Sequence, residues 1–148
     1  MNPQQPLLTG WKAIAKWLHV GSEHTAISYA RQQVDPLPVV VVRGTPCAIP
    51  RYVAEWSARR YNGGVLPDGT PLERLRGLRA VAKTLGVTIW AVMRLAHRDT
   101  DPLPLQSAPD GRRWAYRCAV RDWIDRQTMP FAVHDRLQSA TRGAVPEV

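Results

Sequence analysis

No apolar run in the chain approaches the roughly 18 residues that would span a membrane, although 45% of its 148 residues are hydrophobic. Met1-Asn2-Pro3-Gln4-Gln5-Pro6 sets no basic flank before an apolar stretch, so no secretory signal is expected. Cysteine is scarce. With only Cys47 and Cys118, no disulfide framework is expected, which fits a reducing cytoplasm. There is no Gly-rich phosphate loop, no Gly-x-Ser-x-Gly and no His-Glu-x-x-His. The carboxylates sit near expected helix ends and turns, where caps and ion pairs account for them, and no enzymatic activity is expected. His19, His24, His97 and His134 are too scattered for a structural zinc site, so neither a metal nor another cofactor is expected. No aromatic stacking sheet of the RNA-binding kind is apparent.

Positive charge, by contrast, is plentiful. The formal net charge is +8, with a pI near 10.3. Residues 10–60 carry seven basic and three acidic side chains, and residues 77–127 carry nine and five, so each stretch has a net +4. The segments outside them are neutral. The charge therefore belongs to two stretches of the chain rather than to a basic arm, a pattern suited to meeting phosphates. A solvated basic face that serves solubility is the bland alternative.

Those two stretches are copies of one another. Asp35-Pro36-Leu37-Pro38 recurs as Asp101-Pro102-Leu103-Pro104. Upstream, Gly10-Trp11-Lys12-Ala13-Ile14-Ala15-Lys16-Trp17-Leu18-His19-Val20 faces Gly77-Leu78-Arg79-Ala80-Val81-Ala82-Lys83-Thr84-Leu85-Gly86-Val87. Downstream, Val53-Ala54-Glu55-Trp56 faces Val120-Arg121-Asp122-Trp123. The offset is 67 at both ends and 66 in the middle, a one-residue slip after Val20 and Val87. Cys47 and Cys118 are not equivalent in this register. A repeated supersecondary unit decides how the whole chain is organised. The expected layout is a flexible leader over 1–8, a first unit over 9–60, a linker over 61–76, a second unit over 77–129 and a tail over 130–148.

Within the first unit, Trp11, Ile14, Ala15 and Leu18 follow the spacing of one buried helix face, over about 10–18, with Thr9 as N-cap. Ser22 caps a second helix over about 23–33, with Ala26, Ile27 and Ala30 inward. The Asp-Pro-Leu-Pro block stops it, because proline lacks the backbone donor and restricts its predecessor. Val39 to Val42 and Cys47 to Ile49 read as a two-stranded hairpin, and Arg51 to Arg60 as a helix anchored by Val53 and Trp56. The second unit repeats this with helices over about 77–85 and 89–98, the latter capped by Thr88. Its hairpin turns at Asp110-Gly111, and a last helix runs from Ala119 to Gln127. Helical character resumes near Leu72, and a short helix is expected near Val133 to Ser139. Trp11, Trp56, Tyr116 and Trp123 are expected as core anchors. The class is mainly α with small β-hairpin wings, that is α+β.

The opening helix with Ala-x-Ala-Lys-x-Leu-x-Val, the turn, the Pro-Leu-Pro block and the Glu55-Trp56 and Asp122-Trp123 pairs resemble the excisionase and MerR-like DNA-binding superfamily. The resemblance covers about 10–60 and 77–127. It implies two tandem winged helix-turn-helix domains and double-stranded DNA as partner. No long dimerising helix is expected after either unit and no effector domain is expected, so metal or drug sensing is not implied. In such units the second helix enters the major groove, where every base pair is distinguishable. The implied readers are His24, Ser28, Arg31 and Gln32, with Glu23 beside them, and Trp90, Arg94, His97 and Arg98. Arg43, Arg112 and Arg113 at the wings, and Lys12, Lys16, Arg79 and Lys83 on the first helices, are the implied backbone contacts, which fix register without reading sequence.

Two functions remain open on the sequence. One is a sequence-specific DNA binder, a transcription regulator or excisionase-like factor of a phage or other mobile element, working in the cytoplasm on the nucleoid. Residues 61–76, fully extended, would reach on the order of 50 Å, which lets the units occupy neighbouring turns of a direct-repeat-like site. A palindromic site would need dimerisation. The other is an interaction or assembly module, a DNA-packaging or partition adaptor, in which the less basic first unit docks a protein or self-associates. A recombinase, polymerase or packaging protein is then the expected partner.

Overall fold

The computed structural model describes residues 6–128. Among them are six helices and two three-stranded antiparallel sheets, an α+β architecture. The chain runs through β1 (Leu8–Thr9), α1 (Trp11–Trp17), α2 (Glu23–Ala30), β2 (Val40–Val42), β3 (Thr45–Ala48) and α3 (Pro50–Tyr61). The same order follows in β4 (Arg74–Arg76), α4 (Leu78–Leu85), α5 (Ile89–Ala96), β5 (Gln106–Ser107), β6 (Arg113–Tyr116) and α6 (Arg117–Thr128). Both sheets place their last strand in the middle, as β1-β3-β2 and β4-β6-β5. The expected helix near Val133 to Ser139, the tail, His134 and the first five residues lie outside the described residues.

The two cores match position by position. Ile14, Ala15, Ala26, Leu37, Ala48, Val53 and Trp56 form one. Val81, Ala82, Val92, Leu103, Ala115, Val120 and Trp123 form the other, with Leu75 added. The repeated Asp-Pro-Leu-Pro block is a structural joint in both. Asp35 and Asp101 take left-handed backbone angles (φ 49° and 46°), a region that Asp tolerates better than most residues. Their carbonyls accept the indole N–H of Trp56 at 2.8 Å and of Trp123 at 2.9 Å. Their carboxylates each grip an arginine two-handed, Arg59 and Arg126 respectively. Leu37 and Leu103 are buried beneath, and their N–H groups donate to Tyr29 and Leu95.

Several local expectations change. Thr9 is not the cap of α1; it lies in β1, and Gly10 takes the N-cap position. Gly10 and its counterpart Gly77 hold φ near +90° with extended ψ, a region open only to glycine. Their N–H groups donate to Pro46 and Arg113 in the central strands, so each glycine turns a strand directly into a helix. Ser22 and Thr88 do cap α2 and α5, accepting from the N–H of Thr25 and Ala91. The one-residue slip falls in the α1–α2 turn, where Val20-Gly21 precedes the cap Ser22 but Val87 alone precedes Thr88. The hairpins gain a third strand from the preceding segment, β1 or β4. Leu72 therefore opens no helix, and 74–76 belong to the second sheet.

The expected linker is compact. Gly64 donates to Ala58 and accepts from Leu72, and Val65 bridges Pro71. Leu66 and Leu72 are buried with Ala58 of α3, with Tyr116 at the end of β6, and with Cys118 and Ala119 at the start of α6. Residues 61–76 thus form a packed connection rather than a 50 Å tether, and α3 and α6 lie against each other.

Candidate nucleic-acid interface

The eight expected groove readers fall at four matched positions: His24 with Trp90, Ser28 with Arg94, Arg31 with His97 and Gln32 with Arg98. The first two pairs lie on α2 and α5 and are exposed. The last two lie past the helix ends, because α2 stops at Ala30 and α5 at Ala96. There the chain doubles back so that Leu37 and Leu103 can bond the last turn. Arg98 is held inside the second unit. It donates to the Asp101 carbonyl and the Gln127 side chain, and its guanidinium lies over the Trp123 ring. Gln32 is half-buried, with its Oε1 enclosed and unpartnered. His97 stays exposed, its Nδ1 2.8 Å from the Met93 carbonyl. Trp90 is 81% exposed at the start of α5, with half-exposed Ile89 beside it.

Charge is sorted by depth. Asp35, Glu55, Asp101 and Asp122 are tied to Arg59, Arg121 and Arg126 in internal ion pairs. Glu73 and Asp110 pair at the surface with Arg117 and Arg112. Among the described residues, Lys12, Lys16, Arg31, Arg43, Arg79, Lys83, Arg94 and Arg113 make no ion pair. All but Arg113 are exposed. The carboxylates neutralise the inner arginines, and the unpaired cations remain on the outer surfaces of the helices and hairpins. Lysine and arginine left unpaired at the surface keep their full attraction for a polyanion.

The hairpin tips differ. Between β2 and β3 the turn is only Arg43-Gly44, both with positive φ (52° and 80°), as a type I′ turn requires. Between β5 and β6 the loop is longer, closed by Ala108 and Arg112 and turned by Asp110-Gly111. Beside that loop, Arg74 and Arg76 of β4 join Arg112 and Arg113 around a groove of about 290 Å³ that Trp114 and Asp110 also line. Arg74 stacks over Trp114 at 4.4 Å, and Arg76 is exposed. On sequence alone both arginines fall in the linker over 61–76. Their signal was the alternation Arg74-Leu75-Arg76, too short to separate from a loop. The matching positions in the first unit are Leu7, Leu8 and Thr9, so the first sheet lacks this basic edge.

The deepest charge lies between the units. Arg59 has a side chain 2% exposed, set between Asp35 and Asp122. Burial disfavours its charge, but the Asp35 hydrogen bonds and the fields of both carboxylates outweigh that and raise its pKa above the ordinary range. Arg121 is likewise raised, by Asp122 and Glu55 against the cost of burial. Burial pushes the Cys118 thiol up, with Arg59 pulling the other way. Arg59 and Asp122 are enclosed in the fold, whereas Glu55, Cys118 and Arg121 also line a cavity of about 400 Å³. Among the described residues no cluster of His, Cys, Asp and Glu is arranged to hold a metal ion, and no helix is long and apolar enough to cross a membrane.

No family model matches the chain, and no curated protein or solved structure shows significant similarity to it.

Proposed function

We propose that the protein is a sequence-specific double-stranded DNA-binding protein built from two winged helix-turn-helix units of the excisionase and MerR-like kind. The distribution of charge carries this proposal: Asp35, Glu55, Asp101 and Asp122 are tied up in internal ion pairs, and among the described residues the exposed cations without an ion pair, such as Lys12, Lys16, Arg79, Lys83 and Arg94, outnumber the exposed acids without one, Glu23, Asp68 and Asp99. The second unit is the principal reader. Arg94 on α5 has no intramolecular ion pair among the described residues and is exposed, so its guanidinium is free for guanine O6 and N7, a contact worth about 1–3 kcal/mol of discrimination. Trp90, at the same end of the element as the helix start, offers an apolar face to a thymine methyl. Arg74, Arg76, Arg112 and Arg113 hold the phosphate backbone, and Lys12, Lys16, Arg79 and Lys83 add to that hold. The natural setting is a regulator or excisionase-like factor of a mobile element, acting in the cytoplasm on the nucleoid. Selection of duplexes by the purified protein tests this. A discrete motif whose specificity relaxes in Arg94→Ala is expected, and equal binding to all sequences by both proteins would defeat it.

One observation favours a second role for the first unit, as an interaction or assembly module. Strand β2 is an edge of its sheet and presents Val41, 66% exposed. An unprotected apolar edge is a pairing site for another strand. In this role Val41→Lys abolishes partner docking or self-association and leaves DNA affinity unchanged.

A further inference from the structure

The packing of α3 on α6 bears on how a DNA site is laid out, given the DNA-binding function proposed above. Near the start of α3, Tyr52 lies under the Arg121 guanidinium, 3.6 Å from its ring centre, and lines a cavity with Asp125 and Arg126. Further along, Glu55 accepts from Arg121 at 2.9 Å. Further still, Arg59 donates to Asp122 at 3.0 Å and approaches the Cys118 sulfur at 3.5 Å, while Ala58 clusters with Cys118 and Ala119. From Tyr52 to Ala58 and Arg59, the contacts on α6 move from Asp125 and Arg126 back to Cys118 and Ala119, with Arg121 and Asp122 spanning the middle. The two helices are antiparallel.

They also use the same face. In the repeat register Asp122 is the counterpart of Glu55, Ala119 of Tyr52 and Asp125 of Ala58. Glu55 and Asp122 each accept from an arginine of the other unit, Arg121 and Arg59, although these arginines are not counterparts, since Arg121 corresponds to Ala54 and Arg59 to Arg126. Ala58 groups with the counterpart of Tyr52, and Tyr52 lines a cavity with the counterpart of Ala58. A surface that pairs with its own equivalent in antiparallel sense is isologous, the signature of twofold symmetry. The units are thus related by a pseudo-twofold axis through the α3–α6 contact. The packed 61–76 connection, with Leu66 and Leu72 in the interface, leaves no slack to change that relation. Such an axis sets α2 and α5 at the same height along it and in opposite senses across it.

We propose that the chain is a covalently joined pseudo-dimer whose DNA target is an inverted repeat with unlike halves. No second copy is needed to generate the inversion. The halves differ because His24 and Ser28 stand where Trp90 and Arg94 stand. A freely tethered tandem pair would instead accept direct repeats at many spacings.

The test is selection of random-sequence duplexes by the full chain, followed by titration of the enriched duplex with its weaker half flipped. The expected result is two unlike motifs in opposite orientation at one spacing. Flipping one half should weaken binding roughly a hundredfold, since the second contact then loses its effective concentration. Motifs in the same orientation, or at freely variable spacing, would overturn the inverted arrangement while leaving DNA binding intact. So would enrichment of one motif with no contribution from flanking sequence. If no duplex is enriched, the DNA-binding function falls, and this arrangement with it.

Discussion

Arg59 and Asp122 stand 63 positions apart and meet at 3.0 Å, with only 2% and 1% of their side chains exposed. Through this pair and the Asp35 carboxylate, the first unit's structural joint is tied to the second unit's last helix. Removing one member of a buried ion pair leaves an uncompensated charge, at about 3–5 kcal/mol. Arg59→Ala should therefore lower stability by about that much, read as a shift of the denaturant midpoint. The wild type should unfold in one cooperative step, because the units share this network. Two separate transitions in the wild type would show that the units are energetically independent.

The connection between the units makes a second prediction. Gly64 has φ +81°, and a Cβ there would come within 2.6 Å of the Tyr116 hydroxyl oxygen. Tyr116 is buried against Trp114 and has little room to move. Gly64→Ala should cost about 1–3 kcal/mol, from left-handed strain and the displaced ring together. Gly63 also has positive φ but meets nothing within 4 Å. Gly63→Asn should be nearly neutral, within about 0.5 kcal/mol, the usual range at an open surface position. Equal losses at both glycines would mean that the Tyr116 contact contributes nothing.

Thiol chemistry gives a third. Burial raises the pKa of both Cys47 and Cys118. A raised thiol pKa means less thiolate at any given pH, and the thiolate is the nucleophile. At pH 8 both cysteines in the native protein should react with a maleimide or a disulfide reagent far more slowly than in the unfolded chain. Rapid native labelling of Cys118 would indicate that the α3–α6 contact opens.

Salt dependence supplies a fourth. Each phosphate contact removed should reduce the slope of log affinity against log salt by about 0.9 for duplex DNA. Arg74→Ala/Arg76→Ala should lower the slope by nearly 2, on selected and unselected duplexes alike, if both arginines meet phosphates. An unchanged slope would place the groove beside β4 away from DNA.

The repeat carried most of what was legible. It located the helices, the capping roles of Ser22 and Thr88, and the anchors Trp56 and Trp123, because helical periodicity and repeated motifs are dense local signals. Strands β1 and β4 were invisible, since two or three residues give no periodicity and their pairing partners lie some 40 positions along the chain. Arg74 and Arg76 were lost with them. Arg98 shows the other limit. The resemblance implies an outward Arg98 on the reading helix, but α5 ends at Ala96, and Asp101 and Gln127 then take its guanidinium. The α3–α6 interface had no separate signal, because Arg59, Arg121 and Asp122 read as ordinary surface charges until their partners across the repeat are known.

The most direct measurement is the affinity of wild type and Arg94→Ala for the best selected duplex and for a scrambled duplex of equal length, at near-physiological salt. The account predicts that Arg94→Ala loses roughly 5- to 150-fold on the selected duplex, the equivalent of one lost base contact, with little change on the scrambled one. Equal losses on both duplexes, or none on either, would contradict a base-reading role for α5.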